Sequence, residues 1–265
     1  MQSQKDIKNT DFYSFRADAN VLGGFLELPI PKLIPTLAPV SLPAVGGFTT
    51  ASSEGFTLDS LVSCGKASSH VVGRVLEDGA IAIESTAVVE DLNILQVVRA
   101  ERIVARLSIW IKNGEGLKVS TVGSTFEGLR LGNCRRNPWL NEELQRFERS
   151  RNGATRADAE RIGALQVPHI NKTFAGRDNA EWADNRSKWM TGKGKHGAGC
   201  SLVEGFEDAK DCGHVVDIPT FGRIFLGELF ITPYCAQLVS IRAELGCPVT
   251  GGMTVNCAGG GGVHD

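Results

Sequence analysis

The sequence predicts a mainly β fold, an antiparallel sandwich or barrel with a helical and irregular insertion. Three observations lead to this prediction: a long strand pattern, turn signals between such patterns, and a polar stretch that interrupts them. The strand pattern is clearest over 98–111, where the odd-numbered residues from 103 to 111 are all apolar while Arg102 and Arg106 occupy even positions. Successive side chains of an extended chain point to opposite faces, so this alternation indicates a strand with one buried face.

Turn signals separate the strand patterns of the first half of the chain. Asp78-Gly79 lies between the runs 70–76 and 80–89, and Asn113-Gly114 precedes the run 117–122. Residue pairs of this type accept the positive φ angles of tight hairpin turns. The spacing therefore predicts hairpins, with neighbouring strands antiparallel.

The two ends of the chain carry further strand patterns. Residues 11–28 predict one or two strands broken at Gly23-Gly24, and 221–232 and 236–245 predict a hairpin near the end. Between 29 and 43 the chain has five prolines among aliphatic residues. Proline lacks the N–H that a sheet ladder needs, so we expect an extended, polyproline-like segment at the surface or at a sheet edge.

The central polar stretch begins at Arg135. Asn137-Pro138 followed by Leu140, Leu144 and Phe147 predicts a helix with a cap and one apolar face. A second helix is predicted over 155–165, with an acidic Asp158 three residues after its cap, and 166–200 is expected to be irregular.

These patterns predict the organisation of the chain. A β-domain is expected over 11–134 plus 213–257, and the helical and irregular insertion over 135–212. The four consecutive glycines at 259–262 predict a flexible tail over 258–265, after a last short strand at 253–255.

Composition limits the classes of partner. The chain has 265 residues and a formal net charge of −2, and its basic region, 135–195, carries thirteen Lys and Arg against eight Asp and Glu. This is far from the charge density of a nucleic-acid binder. We expect no membrane span, because no run of about 18 apolar residues occurs. Without an export signal the prediction is a cytoplasmic protein, with the cell surface or secretion as the alternative.

One group of residues has the chemistry of a metal site. His196, Cys200, Cys212 and His214 together offer two thiolates and two imidazoles, a set that could hold a structural zinc ion. Two other interpretations stay open: a disulfide between Cys200 and Cys212, and thiols without a shared role. Seven cysteines is an odd number, so at least one is expected to lie outside any intrachain disulfide.

Aromatic residues offer candidate ligand contacts. Trp110 lies opposite the apolar face of its strand and could line a binding surface, and Trp182 and Trp189 lie in the insertion. No Gly-x-Ser-x-Gly elbow occurs, and no catalytic residue can be assigned. Whether the protein is an enzyme is therefore left open.

Turn-and-strand phrases occur at residues 47–50, 63–65, 85–92, 100–106, 123–132 and 216–229. They resemble those of uncharacterised bacterial all-β proteins of the choice-of-anchor kind. These are typically exported surface proteins with no assigned activity, so the resemblance implies a β-rich protein that could be surface-associated. It carries no functional residues and does not extend to 135–212.

Two functional hypotheses follow. The leading one is a β-sandwich structural or interaction protein, self-associating through strand edges or binding another protein. The alternative is an enzyme or small-ligand-binding protein in which the insertion 135–212 acts as a lid over a pocket of the β-domain.

Overall fold

The computed structural model describes residues 13–28, 30–112, 114–146, 153–174, 197–209, 213–246 and 249–264. One helix, α1, covers Arg156–Phe174. The strands in chain order are β1 (Tyr13–Leu28), β2 (Lys32–Leu37), β3 (Val40–Ser41), β4 (Gly47–Leu58), β5 (Val62–Val75), β6 (Ile81–Ile94), β7 (Val98–Lys112), β8 (Gly116–Ser120), β9 (Thr125–Glu127), β10 (Arg130–Leu131), β11 (Cys134–Arg135), β12 (Pro138–Leu140), β13 (Ala198–Ser201), β14 (Val203–Phe206), β15 (Val215–Ile218), β16 (Gly222–Ile231), β17 (Cys235–Leu245) and β18 (Thr250–His264).

The strands form two large antiparallel sheets. Sheet 1 has the order β13-β16-β17-β18-β1-β2, with β15 beside β16 and β3 beside β1. Sheet 2 has the order β11-β10-β7-β6-β5-β4, with β8 and β9 beside β7, and a small third sheet pairs β12 with β14. The large sheets do not close into a barrel, so the prediction of a mainly β, sandwich-like fold with a helical insertion is confirmed.

The interior lies between the two sheets. The alternation of β7 is confirmed, because Ile103, Ala105, Leu107 and Ile109 are buried while Arg102 and Arg106 remain partly exposed. Two apolar clusters fill the space and each combines residues of both sheets: the first includes Leu22 of β1 with Ile103, and the second includes Ala17 with Leu107.

Polar contacts join the two sheets across this interior. The side-chain amide of Asn256, on β18, donates to the carbonyl of Ile103 at 2.9 Å. The Ser85 hydroxyl of β6 donates to the carbonyl of Gly259 at 3.1 Å. Buried polar groups are costly unless paired, so these bonds fix how β18 lies over sheet 2.

The glycine-rich end is a central strand, and the prediction of a flexible tail over 258–265 is wrong for 258–264. Those residues belong to β18, which pairs with β1 on one side and with β17 on the other. A Cβ at Gly260 would lie 3.0 Å from a methyl of Ile83 and 3.1 Å from Cβ of Ala17. Glycine therefore suits this position, because Ala17 of the neighbouring strand and Ile83 of the facing sheet leave little room for a side chain. The same run of glycines has the composition of a linker, which is why the sequence alone predicted a tail.

The proline-rich segment 29–43 lies at a sheet edge, as predicted, but it is not polyproline-like throughout. It forms β2 and β3, which both pair with β1. Pro35 lies where the register with β1 shifts, between the pairs Gly24–Ile34 and Leu22–Leu37. An edge strand tolerates proline at such an irregularity because one side of its backbone needs no ladder partner.

The insertion contains both the helix and a strand of the sandwich, because β13 belongs to sheet 1. The prediction of a helix that begins at Asn137-Pro138 is wrong for the described residues. Pro138–Leu140 form β12, and 142–145 form a turn. The helix predicted over 155–165 is confirmed and extends to Phe174. Its cap is also confirmed, because Thr155 Oγ1 accepts the Asp158 N–H at 3.3 Å while the Asp158 carboxylate accepts the Thr155 N–H at 2.9 Å.

Candidate functional site

The two sides of the sandwich, where the edges of sheets 1 and 2 lie, differ in how they are covered. On what we call the closed side, the insertion connects β13 of sheet 1 to β8 of sheet 2. Helix α1 packs against β13, β15 and β16, and Ala154, just before α1, exchanges backbone hydrogen bonds of 2.8 Å with Val119 of β8. On the closed side the insertion therefore covers β13 and bonds to β8.

The segment 136–146 adds further bonds on the closed side. The Thr121 N–H and hydroxyl both donate to the carbonyl of Leu144, at 2.8 and 2.9 Å. The Asn141 N–H donates to the carbonyl of Leu202 at 2.8 Å. Because Leu202 lies between β13 and β14, these bonds connect the end of β8 with sheet 1 through the insertion.

What we call the open side carries β2 of sheet 1 and β4 of sheet 2. β4 is twelve residues long and pairs with β5 along one of its edges. Its other edge has no partner strand among the described residues. It contains no proline and one charged residue, Glu54. A long, nearly uncharged edge of this kind is a template for another strand.

The neighbouring edge, β2, is protected by its sequence. Pro35 removes a donor, and the register shift beside it interrupts the ladder. Lys32 adds a charge and forms an ion pair with Asp59, in the turn that follows β4. These are the features by which natural sheets discourage edge-to-edge pairing, and β4 has almost none of them.

Large apolar side chains are exposed on the open side. We call them the open-side patch. Leu33 is 77% exposed and lies directly opposite Phe25 in the β1–β2 pairing, and Phe48, near the start of β4, is 64% exposed. The patch consists of two groups, because Val45 and Phe48 lie at the start of β4, whereas the other residues lie near its far end, where Lys32 pairs with Asp59. Exposed apolar residues at the ends of an unpaired edge are typical of interaction surfaces. The patch comprises Phe25, Leu28, Ile30, Leu33, Val45 and Phe48.

On the closed side a groove of about 340 Å³ lies between α1 and the β12–β14 pair. We call it the α1 groove. Its size is within the range of small-molecule sites, which begins at about 300 Å³. The walls combine apolar and polar residues: Trp139, Ile162, Leu165 and Phe206 on the one hand, and Asn141, Glu143, Arg161, Gln166, His169 and Glu204 on the other.

A buried amide orients one carboxylate of the α1 groove. Asn141 is buried, and its Oδ1 accepts the Leu144 N–H at 3.1 Å. This leaves the Asn141 amide nitrogen to donate to the carboxylate of Glu204. The Leu144 N–H identifies the Asn141 oxygen as the acceptor, so the Asn141 nitrogen is the donor towards Glu204. The Glu204 carboxylate is therefore held as a hydrogen-bond acceptor.

Two further contacts fix the helix wall of the groove. The Arg161 guanidinium forms an ion pair with Glu143 and lies 3.7 Å from Asp158. The contact with Glu143 raises the pKa of Arg161. Gln166 is buried and its amide makes two bonds with Ser201, donating to the carbonyl at 2.9 Å and accepting the N–H at 2.8 Å. The helix is thereby held in place against β13.

The predicted metal ligands are placed only in part. Cys200 lies in β13 opposite Leu229, and its side chain is fully buried. Burial raises the pKa of that thiol to about 12, so the thiolate that a metal would bind is strongly disfavoured. His214 is also buried, and its carbonyl accepts the Leu226 N–H at 3.0 Å.

The sheet brings Cys200 and His214 to the same edge of β16. Leu226 and Leu229 are three residues apart, which corresponds to about 10 Å along a strand. His196 and Cys212 lie outside the described residues, and no group of three or more potential ligands occurs within the described part of the chain. Zinc binding by the four residues, and the rival Cys200–Cys212 disulfide, stay predictions.

The predicted aromatic contacts are placed in part as well. Trp110 lies on the outer face of sheet 2, and the Lys118 ammonium is 5.0 Å from the centre of its ring. Trp182 and Trp189 lie outside the described residues. Trp110 does not line the α1 groove, which is built from the insertion. Its role in ligand binding stays a prediction.

Sequence reasoning missed the residues of the α1 groove. Trp139, Asn141 and Glu204 come from β12, the turn after it and β14, where a helix and an irregular stretch were expected. A signal was present at Pro138-Trp139, because a bulky aromatic after proline in a short extended stretch also fits an edge strand. The pairing with β14 is long-range, and no local pattern specifies it.

The fold and these two regions define the class of protein: an antiparallel β-sandwich with one side closed by a helical insertion and one side open. The domain of unknown function DUF8256 matches residues 12–232, and the chain belongs to this family. The match includes all strands except β17 and β18. A search of curated proteins and a search of solved structures each found no match.

Proposed function

We propose that this protein is a structural or interaction protein that self-associates by pairing the β4 strands of two copies. The observation that carries the proposal is the long unpaired edge of β4, with exposed residues of the open-side patch at each of its ends. Within the described residues no helix is long and apolar enough to span a membrane. The proposed partner is a second copy of the chain.

Backbone chemistry favours this mode of association. An exposed strand edge presents alternating N–H and C=O groups that a second extended strand can satisfy. Two identical β4 edges related by a two-fold axis would pair antiparallel, because a two-fold interface uses the same surface of both copies. Sheet 2 of one copy would then continue into sheet 2 of the other.

The exposed apolar residues near β4 are a second feature that favours self-association. Val45 precedes β4 and Phe48 lies near its start, whereas Ile30 and Leu33 lie near its far end, beside the Lys32–Asp59 ion pair. Strand addition would bring part of this patch against the second copy and remove apolar surface from water, at about 25 cal/mol per Å². The protected edge β2 would stay outside the strand pairing.

The experiment compares the oligomeric state of the wild type with a charged edge variant. In Thr50→Lys/Ser52→Lys both substituted side chains are exposed and lie on β4. In an antiparallel pair of β4 strands the added ammonium groups would lie close together, and like charges on facing strands repel. Light scattering after size exclusion, over a concentration series, should show a wild-type dimer and a variant monomer.

A matched control is Thr36→Lys on β2, which adds an exposed lysine to the protected edge. The control should dimerise like the wild type. A strictly monomeric wild type at high concentration, or equal loss of dimer in the control and the β4 variant, would refute the proposal. Equal melting temperatures would show that neither variant acts by unfolding.

A second candidate function is supported by the α1 groove. The sequence-based alternative was a ligand-binding protein or enzyme with the insertion as a lid over a β-domain pocket. The groove favours ligand binding, but its walls are β12, β14 and α1. The insertion therefore provides a pocket itself. Limited proteolysis with and without a bound ligand tests this candidate, which requires protection of α1 when ligand is present.

A further inference from the structure

We propose that the α1 groove binds an organic cation, an ammonium or guanidinium group on an aliphatic stem. The occupant is either a free amine or a Lys or Arg side chain, which share this chemistry. The proposal rests on the second candidate function, ligand binding in the groove, and not on the pairing of β4.

The charges of the groove favour a cation. Arg161 is the one Lys or Arg side chain among the described walls, which also include His169, and Glu143 and Asp158 already lie beside its guanidinium. Glu204 accepts its hydrogen bond from the neutral amide of Asn141, and no described cation pairs with it. Its charge is therefore available to a ligand, and a carboxylate pairs best with a charged donor.

The apolar walls match the rest of the ligand. Trp139 is 56% exposed and lies opposite Gly205 in the β12–β14 pairing. Because glycine has no side chain, the facing residue does not cover the indole. A cation over an indole ring is stabilised by the ring quadrupole. Leu165, which is 68% exposed, and Ile162 provide surface for an aliphatic stem.

The site is held rigid before any ligand arrives. Asn141 fixes the carboxylate of Glu204 from one side, and the Gln166–Ser201 bonds fix α1 on the other. Groups that are positioned in advance lose less entropy on binding. The groove therefore has a fixed negative charge, an exposed aromatic residue and a stem-sized apolar wall.

The test uses the full-length chain and three probes: cadaverine, Nα-acetyl-lysine-N-methylamide and Nα-acetyl-arginine-N-methylamide. Titration followed by NMR of the backbone amides should shift residues of β12, β14 and α1. The neutral analogue Nα-acetyl-norleucine-N-methylamide should not bind. Tighter binding of cadaverine assigns a free amine, and tighter binding of a blocked amino acid assigns a protein side chain.

Three variants separate the contributions. Glu204→Gln should weaken binding about tenfold or more, because a charge-assisted hydrogen bond is lost. Trp139→Ala should weaken it about two- to fivefold, as expected for an exposed cation–π contact. Glu142→Gln is the matched control, since Glu142 is exposed and does not line the groove.

The proposal fails if the neutral analogue binds as well as the cations, or if none of the probes shifts groove residues. It also fails if Glu204→Gln and Glu142→Gln have equal effects in proteins with unchanged melting temperatures. Binding of an uncharged probe alone would keep the groove as a ligand site, the second candidate function, while refuting the cation. Repeating the titration in the Thr50→Lys/Ser52→Lys variant separates ligand binding in the groove from self-association through β4.

Discussion

The closed side and the open side of the sandwich each contain the edges of two sheets. The two sides differ in whether the unpaired backbone groups of those edges are covered. On the closed side α1 and 136–146 cover β13 and connect it to β8. On the open side β2 is protected by proline and a register shift, while β4 is left with a free edge. Covering an edge stabilises the monomer, whereas leaving one free makes it available to a partner.

The difference has a consequence for what each side contributes. The closed side holds buried side chains from the insertion, including Leu144, Ala159 and Ile162, in the same apolar cluster as β7 and β8. The open side exposes residues of similar size, such as Leu33 and Phe48. We therefore expect mutations on the closed side to change stability, and mutations on the open side to change association.

The largest effect is expected for Leu144→Ala. Leu144 is fully buried on the closed side, so truncation leaves a cavity and should lower the free energy of unfolding by about 2–5 kcal/mol. Urea denaturation monitored by circular dichroism measures this. A loss below about 1 kcal/mol would mean that the insertion packs only loosely against the sandwich.

The next effect is a dependence of stability on alkaline pH, caused by the buried thiol of the closed side. Burial raises the pKa of Cys200 from 9.0 to about 12. Above pH 9 the unfolded thiol loses its proton while the folded one keeps it, so stability is present below pH 9 and is lost as the pH rises towards 12. The loss should be about 1.4 kcal/mol per pH unit.

Urea midpoints at several pH values between 8 and 11 measure this contribution. Other groups titrate in the same range, so the informative quantity is the difference between the wild type and Cys200→Ala. The alanine variant should have a shallower slope, and Cys134→Ala, which removes an exposed thiol, is the control. Identical slopes for all three proteins would contradict the burial of Cys200.

A smaller effect is expected at the start of α1. Thr155→Ala removes the hydroxyl that caps the helix through Asp158. The free energy of unfolding should fall by about 1 kcal/mol. Thermal unfolding measures the change, and Thr155→Ser, which retains a capping hydroxyl, should recover most of it. No difference between alanine and serine would exclude a capping role for this residue.

The smallest effect on stability is expected on the open side, for Leu33→Ala. Leu33 is among the most exposed apolar residues of the protein, so the free energy of unfolding of the monomer should change by no more than about 0.5 kcal/mol. The measurement is urea denaturation at low protein concentration. A loss comparable to that of Leu144→Ala would remove the distinction between the two sides.

Local patterns predicted the elements that they specify. The alternation of β7 identified its buried face because strand periodicity depends on neighbouring residues alone. The same is true of the Asp78-Gly79 turn between β5 and β6 and of the Thr155–Asp158 cap of α1. These features are determined within about ten residues of sequence.

Features that depend on distant partners could not be predicted in this way. Gly259 to Gly262 resembles a linker in composition, and the reason for glycine at Gly260, the close approach of Ile83 and Ala17, is visible only in the folded structure. β12 looked like the start of a helix because Asn137-Pro138 fits a cap, but its pairing with β14 joins residues more than 60 positions apart. The α1 groove, which depends on that pairing, was missed for the same reason.

The most direct test of the difference between the two sides is hydrogen exchange of backbone amides at low and high protein concentration. We expect that raising the concentration slows exchange in β4, where the free edge becomes paired, and leaves exchange in β8 and β13 unchanged because the insertion already covers these strands. Unchanged exchange in β4 at a concentration where light scattering shows a dimer would contradict the account.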